Sequence, residues 1–329
     1  MKKLYSLLVL LFLVTGIIAG CGATEESRTN EGNATTETTD QAVQSEDSAF
    51  PVTITDALDK EVTIENDPEK IVSLIPSNTE ILFDLGAGEE VVGVSDFANY
   101  PEETADIEKI GGMEFNVEKI ISLKPDLVLA HGSSAHNSEA GLQQLRDAGI
   151  AVLVVNDAKS FEEVYKSIEM IGQATGETEE AETTISDMKQ QLEDIEAKAE
   201  DIPEEDEKNV FVEVAPAPEI FSPGKNTFMD DMLLMIHAKN VTHDQEGWNQ
   251  IDQEAVIQAN PDVIITTYGY YTENPIDQVL SRDGWQDVTA VKEEQVVDVH
   301  SDLVTRSGPR LVEGVEELAK AVYPDVFAE

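Results

Sequence analysis

A single long, charged helix divides this sequence and limits what the chain can fold into. From Thr178 to about Ala199, apolar residues recur at alternating steps of four and three on a charged background, at Ala181, Ile185, Met188, Leu192 and Ile195. This spacing predicts a helix with one apolar stripe facing the protein. At about 1.5 Å per residue the helix would span roughly 33 Å, enough to cross from one lobe to another.

Strand-then-helix patterns lie on both sides of this helix. A short hairpin at residues 52–55 and 61–64 comes first, and apolar runs then predict strands at residues 71–75, 91–95, 127–131 and 151–155. After the long helix, strands are predicted at residues 210–214, 263–267 and 296–300, with helices at residues 228–238, 252–259 and 308–322. Strands that alternate with helices pair in parallel, so the sequence predicts an α/β fold with two lobes.

Two helices of the first series begin with a capping-box sequence. Ser77 and Ser160 are each followed three residues later by a glutamate, Glu80 and Glu163. In this pattern the serine and the glutamate satisfy free amides at the helix start, so both serines are predicted N-caps. Another helix is expected near Ser138.

The amino terminus has the pattern of a secreted lipoprotein. Residues 1–21 hold Lys2, Lys3, an apolar run and small residues before Cys21, which is typical of a cleaved signal peptide with a lipobox. The run falls short of the roughly 20 residues that span a bilayer, although an uncleaved transmembrane anchor is the alternative. Residues 22–49 are acidic and almost free of apolar side chains, which predicts a disordered tether.

The predicted boundaries follow from these segments. Residues 50–177 form the N-terminal α/β lobe, residues 178–202 the interlobe helix and residues 203–329 the C-terminal α/β lobe. Lipid on Cys21 is expected to hold the protein at the cell membrane, on its extracytoplasmic face. We expect a monomer.

Composition excludes several classes of function. The net charge of −46 leaves no basic cluster for nucleic acid. Because Cys21 is the only cysteine, no disulfide or thiolate metal cluster can form. The sequence has no phosphate-binding glycine loop, nucleophile elbow or His-Glu-x-x-His motif, so we predict neither an enzyme nor a cofactor. The five histidines form no paired metal motif, so no metal site is predicted.

Several short motifs resemble one family of transport proteins. The sequences IVSLIPSNTE at residues 71–80, VGVS at 92–95, VEKI at 117–120 and LKPDLV at 123–128 are similar to those of siderophore and vitamin B12 binding proteins that serve ABC importers. The resemblance runs from about Val52 to the end. It implies the class III periplasmic-binding-protein fold, in which two Rossmann-like lobes with parallel sheets are joined by one long rigid helix and the ligand lies between them.

The match looks closest to the vitamin B12-binding members, and it implies a set of ligand contacts. These are Phe97, Phe221, Trp248, Asp302 and Arg306, with His131 at a position where those relatives have tryptophan. Two further departures are Val214 in place of an aromatic residue and the absence of an aromatic residue before Gly112. Tyr268, Tyr270 and Tyr271 follow a predicted strand and are candidates for replacement aromatic surface.

Four of these predicted contacts also have a purely structural interpretation. Asp302 and Arg306 are four apart and could form an ordinary helical ion pair. Trp248 could be a core residue, although its neighbours are polar. His131 could hydrogen-bond a loop instead of approaching a bound metal centre.

The resemblance also implies a docking surface. Glu118 and Glu254 match the glutamates, one per lobe, that contact arginines of the importer's membrane subunits in this family. First-turn glutamates can equally be simple partners of the helix dipole. If they dock, two separated carboxylates would fix orientation and speed encounter.

The combined prediction is a solute-binding lipoprotein that delivers a corrinoid, of the vitamin B12 type, to the permease and ATPase subunits of an ABC importer. A corrinoid has broad apolar faces and a polar edge, which suits aromatic side chains with a few directed polar groups. The alternative is an iron-siderophore or haem binder of the same family, but anionic chelates call for several basic residues and only Arg306 and Arg310 lie nearby. A bare metal-ion binder and a structural surface protein are the remaining alternatives.

Overall fold

The N-terminal lobe is built on a parallel five-stranded sheet. The computed structural model describes residues 49–327, beginning with an antiparallel hairpin of β1 (Val52–Thr55) and β2 (Glu61–Ile64). The sheet contains β3 (Ile71–Ser73), β4 (Val91–Val94), β5 (Glu108–Lys109), β6 (Leu127–His131) and β7 (Ala151–Val155). Its spatial order is β5-β4-β3-β6-β7. The chain starts at the central strand β3, runs outward through β4 and β5, and then crosses to β6 on the other side of β3, so the strand order reverses between β3 and β6. In open α/β sheets, ligands bind outside the strand carboxyl ends at such a switch point.

Three helices connect these strands, and a fourth follows the last strand. They are α1 (Pro76–Asp84), α2 (Val117–Leu123), α3 (Gly132–Asp147) and α4 (Phe161–Thr175), with a short 3-10 turn at Glu102–Asp106. The predicted cap at Ser160 is confirmed, because its side chain accepts a hydrogen bond from the Glu163 amide at 3.4 Å. Glu163 in turn accepts one from the Lys159 amide at 2.7 Å.

The other predicted cap, at Ser77, is wrong. Pro76 occupies the first helical position of α1, Ile75 precedes it without a side-chain cap, and Ser77 is buried. Proline is favoured at this position because its fixed φ suits a helix and its missing amide would have no partner. The helix therefore starts before Ser77, and Glu80 is buried instead of closing a capping box.

The helix predicted near Ser138 is confirmed as α3, which begins at Gly132. The side chain of His131 accepts a hydrogen bond from the Ser133 amide and caps this helix. Histidine is not among the usual N-cap residues, so the sequence pattern gave no signal at that position.

The predicted long helix is confirmed as α5 (Thr178–Ala199). All five residues of the predicted stripe are buried, together with Ala199. This helix contacts α4 of the N-terminal lobe and two helices of the following lobe, α6 (Phe228–Met235) and α11 (Leu311–Val322). The apolar stripe is thus what attaches the helix to both lobes.

The C-terminal lobe has a second parallel sheet and a separate antiparallel ribbon. The sheet, in spatial order, contains β10 (Lys239–Asn240), β8 (Asn209–Glu213), β12 (Val263–Thr266) and β13 (Val296–Asp298). The ribbon pairs β9 (Phe221–Pro223) with β11 (Trp248–Gln250). The remaining elements are a 3-10 turn at Glu204–Asp206 and helices α7 (Gln253–Ala259), α8 (Pro275–Leu280), α9 (Thr289–Lys292), α10 (Ser301–Thr305) and α12 (Pro324–Phe327).

Several predicted bounds in this lobe differ from the structure. The helix predicted at residues 228–238 ends at Met235, and His237 just beyond it has a φ of 56°, which a continuing helix does not allow. The helix predicted at residues 308–322 begins at Leu311, because residues 308–310 form a bend and a turn after the separate short helix α10.

Alternating side chains on the strands divide the core into layers. Ile71, Leu127 and Leu129 face a core that both lobes share with α5, whereas Val72 and Val128 face a second cluster on the opposite side of their sheet. Strand residues alternate in this way because successive side chains point to opposite faces. The C-terminal sheet repeats the arrangement with a cluster of its own. These layers confirm the predicted α/β fold with two lobes and one connecting helix.

Candidate functional site

An apolar pocket of about 350 Å³ lies at the carboxyl ends of the N-terminal strands. Its walls come from the segments that follow β3, β4 and β6, so it lies at the switch point of the sheet. Ser133, Ser134 and Asn137 provide a polar edge. The apolar wall is formed by Leu74, Ile75, Phe97, Met113 and Phe115.

Phe97 is the most prominent predicted contact in this pocket. It follows β4 and is 54% exposed. Its ring lies against Gly112, where an added Cβ would come within 3.1 Å of a ring carbon. Glycine at position 112 therefore leaves room for the ring.

His131 lies in the chain between Ala130 and Ser133, which line the same pocket, but is itself only 5% exposed. Its Nδ1 accepts a hydrogen bond from the Ser133 amide at 3.3 Å and lies 2.8 Å from the Ser133 hydroxyl. Burial lowers the pKa of His131, while the nearby Asp157 acts in the opposite direction. The imidazole is thus held neutral as a helix cap, and its contact with a ligand stays a prediction.

Phe221 and Trp248 form an aromatic surface on the C-terminal lobe. Phe221 pairs with Gln250 and Trp248 with Pro223 across the antiparallel ribbon. Residues directly opposite one another, and residues two apart on a strand, lie on the same face, so the two rings share one side of the ribbon. Both are exposed, whereas Ser222 on the opposite face is buried. Trp248 is therefore not a core residue.

Two further tyrosines lie at the carboxyl end of β12. Tyr270 and Tyr271 are 63% and 56% exposed, and their rings meet edge to face with centroids 4.7 Å apart. The Tyr270 ring is also 6.1 Å from that of His300, which follows β13. Tyr268, the third candidate, is fully buried and contributes no accessible surface.

A buried polar network holds the segment that carries these tyrosines. The Tyr268 hydroxyl donates to Glu213 at 2.6 Å, and Arg282 donates to both oxygens of Glu213 at 2.7 and 2.8 Å. Burial, reinforced by the Glu213 charge, raises the pKa of Tyr268. Asp298 accepts from the Gly269 amide at 3.1 Å. The two exposed rings are therefore presented by an anchored segment.

The predicted pair of Asp302 and Arg306 joins the two lobes. Arg306 lies 2.9 Å from Asp302, which is the helical ion pair that the spacing allowed. It also donates to Glu80 at 2.6 Å and to the Asn99 side chain at 2.7 Å, both in the N-terminal lobe. A third bond, of 3.3 Å, reaches the carbonyl oxygen of Phe97.

These contacts connect three of the six predicted ligand residues, Phe97, Arg306 and Asp302, along one path. From Phe97 it passes through Arg306 to Asp302, whose carboxylate is 3.9 Å from Nδ1 of His300, and then to the ring of Tyr270. Sequence reasoning missed Glu80, Asn99 and Met113. The Glu80 signal was present, but its Ser-x-x-Glu context indicated a cap.

A second cavity, of about 610 Å³, lies beside α5 and is a weaker candidate. Glu80, Tyr100 and Arg310 line one wall, and the guanidinium of Arg310 stacks 3.9 Å from the centre of the Tyr100 ring. Four carboxylates, Asp84, Glu103, Asp187 and Glu313, also line this cavity, so it is more polar than ligand pockets usually are.

The two predicted docking glutamates occupy equivalent positions in a repeated unit. Glu118 and Glu254 are exposed second residues of α2 and α7, which are capped by the side chains of Asn116 and Asp252. Each helix has seven residues and ends at a residue in the left-handed region, and each is followed by Pro-Asp and a parallel strand.

An exposed isoleucine follows each of these glutamates by one helical turn. Ile121 and Ile257 are 39% and 37% exposed. Residues three apart on a helix are neighbours on its surface, so each lobe presents a carboxylate beside an apolar side chain.

Two features are absent from residues 49–327. In this part of the chain no helix is long and apolar enough to cross a membrane. The same residues contain no group of three histidine, cysteine, aspartate or glutamate side chains arranged to hold a metal ion. The predicted signal peptide, Cys21 and most of the tether lie outside the described residues.

The sequence is similar to substrate-binding proteins over most or all of its length. The family model described as "Periplasmic binding protein" matches residues 71–303. The chain is 51% identical over 329 residues, covering all of both chains, to the uncharacterised ABC transporter substrate-binding lipoprotein YvrC of Bacillus subtilis. It is 27% identical over 285 residues to a cobalamin-binding protein of Halobacterium salinarum, covering 84% of this chain and 75% of that one.

Solved structures show the same fold. A possible iron-binding protein of Staphylococcus epidermidis has a TM-score of 0.70 and 37% identity, covering 78% of this chain and 100% of that one. The haem-binding protein RhuT of Roseiflexus has a TM-score of 0.71 and 27% identity, with coverage of 78% and 99%. The vitamin B12-binding protein BtuF of Vibrio cholerae has a TM-score of 0.66 and 25% identity, with coverage of 78% and 97%. The chain therefore belongs to the periplasmic binding protein family, as a substrate-binding protein of an ABC transporter in the vitamin B12, siderophore and haem group.

Proposed function

We propose that this protein captures a corrinoid between its two lobes and delivers it to an ABC importer. The observation that carries the proposal is the set of exposed aromatic rings at strand ends or on the ribbon: Phe97, Phe221, Trp248, Tyr270 and Tyr271. Flat apolar surface of this kind suits the faces of a corrin ring, and the polar side chains between the lobes suit its amide-bearing edge.

The charge of the cleft supports a ligand without net negative charge. Arg306 and Arg310, the two predicted basic candidates, are each within 4 Å of carboxylates. A guanidinium already paired in this way is a poor partner for an anionic iron chelate, which would have to displace the carboxylates. The cobalamin-binding relative of Halobacterium salinarum and the vitamin B12-binding BtuF provide additional support.

An iron-siderophore or haem ligand is the second candidate. The phenol of Tyr270 and the imidazole of His300 are exposed and adjacent, with ring centroids 6.1 Å apart, and both groups can bind ferric iron. The similar proteins of Staphylococcus epidermidis and Roseiflexus, described as iron-binding and haem-binding, favour this candidate.

Docking to the importer's permease is proposed to use Glu118 and Glu254. Their equivalent positions, exposure and neighbouring isoleucines support two similar contacts, one from each lobe. Paired charges of this kind steer encounter and fix orientation. The ATPase subunits would act through the permease.

Membrane attachment is proposed to depend on lipid at Cys21, with the protein acting as a monomer on the extracytoplasmic face. The similarity to the lipoprotein YvrC along the full chain supports this location. A Cys21→Ser variant should be released from the membrane fraction.

Calorimetric titration of the full chain in detergent tests the ligand assignment. We expect saturable one-to-one binding of cyanocobalamin, weakened about 10- to 100-fold by Trp248→Ala, since a central aromatic side chain contributes about 1–3 kcal/mol. Leu234→Ala is the matched control, because Leu234 is similarly exposed but lies on α6. Binding of haemin or a ferric siderophore without cyanocobalamin binding would establish the second candidate instead.

A further inference from the structure

One carboxylate of the N-terminal lobe forms ion pairs with two arginines of the C-terminal lobe. Oε1 of Glu80 lies 2.6 Å from Arg306 and 3.5 Å from Arg310. The Glu80 side chain is 1% exposed, and those of Arg306 and Arg310 are 12% and 19% exposed. Charges so far from water interact more strongly than surface charges do.

The remaining partners of the two arginines complete the charge balance. Asp302 pairs with Arg306 at 2.9 Å and is also mostly buried. Glu313 lies 3.6 Å from Arg310 but is 58% exposed, so solvent weakens its effect. Two guanidinium groups are therefore balanced mainly by Glu80 and Asp302.

This balanced cluster adjoins the candidate ligand pocket. Arg306 donates to the carbonyl oxygen of Phe97, whose ring forms part of the pocket wall. A change in the net charge of the cluster would therefore change the electrostatic energy of a charged ligand lying against Phe97. The effect should be substantial because the site is only partly open to water.

We propose that Glu80 is a specificity-determining residue: by neutralising Arg306 and Arg310 it makes the cleft discriminate against anionic ligands. The inference rests on the proposed binding of a ligand between the lobes and deepens it, since it assigns a cause to the preferred ligand charge. Glu80 acts through the arginines and is not itself required to touch the ligand.

Glu80→Gln is the decisive substitution because it removes the charge and keeps the shape. Among residues 49–327 one carboxylate oxygen of Glu80, Oε2, has no hydrogen-bond partner, so the glutamine amide nitrogen can take this position while its oxygen still accepts from Arg306. The variant would leave the cluster with one uncompensated positive charge.

The experiment compares an anionic and two uncharged ligands by calorimetry on the full chain in detergent. The probes are a ferric tris-catecholate, cyanocobalamin and an uncharged ferric trihydroxamate. We expect Glu80→Gln to raise the ratio of tris-catecholate affinity to uncharged-ligand affinity at least about tenfold, and added salt to reduce the gain. Glu313→Gln is the matched control, since it removes an exposed carboxylate beside Arg310, and should change the ratio less than about twofold.

The outcomes separate this inference from the ligand proposal. If wild type binds the trihydroxamate but not cyanocobalamin, the corrinoid assignment fails and the charge ratio still tests Glu80. An unchanged ratio in a folded Glu80→Gln variant, or a wild type that binds none of the probes, overturns the inference. If that variant does not fold, Asp302→Asn removes the other balancing carboxylate and must raise the same ratio.

Discussion

The positions of individual side chains in the cleft depend on the strands that directly precede them. Phe97 follows β4, His131 ends β6 and His300 follows β13, so each is brought to a strand carboxyl end. The sequence predicted these positions because apolar strand runs are easy to recognise. It could not predict His131 as a cap, since histidine is not a usual N-cap residue. Nor could it predict that Glu80 bridges the lobes, since this depends on Arg306, far away in the chain.

His131 gives a pH-dependent prediction. Burial lowers its pKa in the folded protein, so the stability that it contributes is present above its ordinary pKa of 6.5 and is lost as the pH falls through its lower folded value. Protonation at Nδ1 would also remove the acceptor for the Ser133 amide.

Urea unfolding of wild type and His131→Asn between pH 5 and 8 tests this expectation. Asparagine is a favoured N-cap that does not titrate, so the variant should retain the cap and show a smaller decrease in unfolding free energy below about pH 6.5. The same decrease in both proteins would show that His131 is not responsible.

At the scale of secondary-structure elements, the length of each helix or strand determined whether it could be predicted from the sequence. The stripe on α5 extends over 22 residues, and its buried positions match the predicted ones. The ribbon of β9 and β11 has three residues per strand, too few for an alternation pattern to be recognised, and this ribbon presents Phe221 and Trp248.

Because α5 links the two lobes, we predict that the free energy of unfolding depends strongly on the apolar stripe of this helix. Leu192→Ala should lower the free energy of unfolding by about 2–5 kcal/mol, because Leu192 is 5% exposed and belongs to the core shared by both lobes. The neighbouring Glu193→Ala, on the exposed side, should change it by less than about 0.5 kcal/mol. Equal effects in urea denaturation would contradict the packing of the helix through this stripe.

For the molecule as a whole, the proposed docking glutamate on each lobe predicts that ligand binding and delivery can be separated by mutation. Replacing both Glu118 and Glu254 by lysine should reduce uptake of cobalt-labelled cyanocobalamin by host cells at least about tenfold, while the purified variant still binds it. Glu193→Lys, an exposed charge reversal on α5, is the control. Loss of binding together with uptake would instead indicate damage to the cleft.

The fold and family could be inferred at this scale because strand and helix patterns recur in order along the chain, on both sides of α5. Ligand identity could not, since it depends on which rings and charges meet between the lobes. Arg306 illustrates the difference: its position was predicted, whereas its simultaneous contacts with Glu80, Asn99 and Asp302 emerge only from the folded chain.

The most direct test of the proposed function is an anomalous difference map at the cobalt edge, from crystals grown with cyanocobalamin. A corrinoid bound as proposed places one cobalt peak between the lobes, flanked by Phe97 on one side and Trp248 on the other. A fully occupied cobalt peak elsewhere on the protein, or no peak at saturating cyanocobalamin, would contradict the corrinoid assignment.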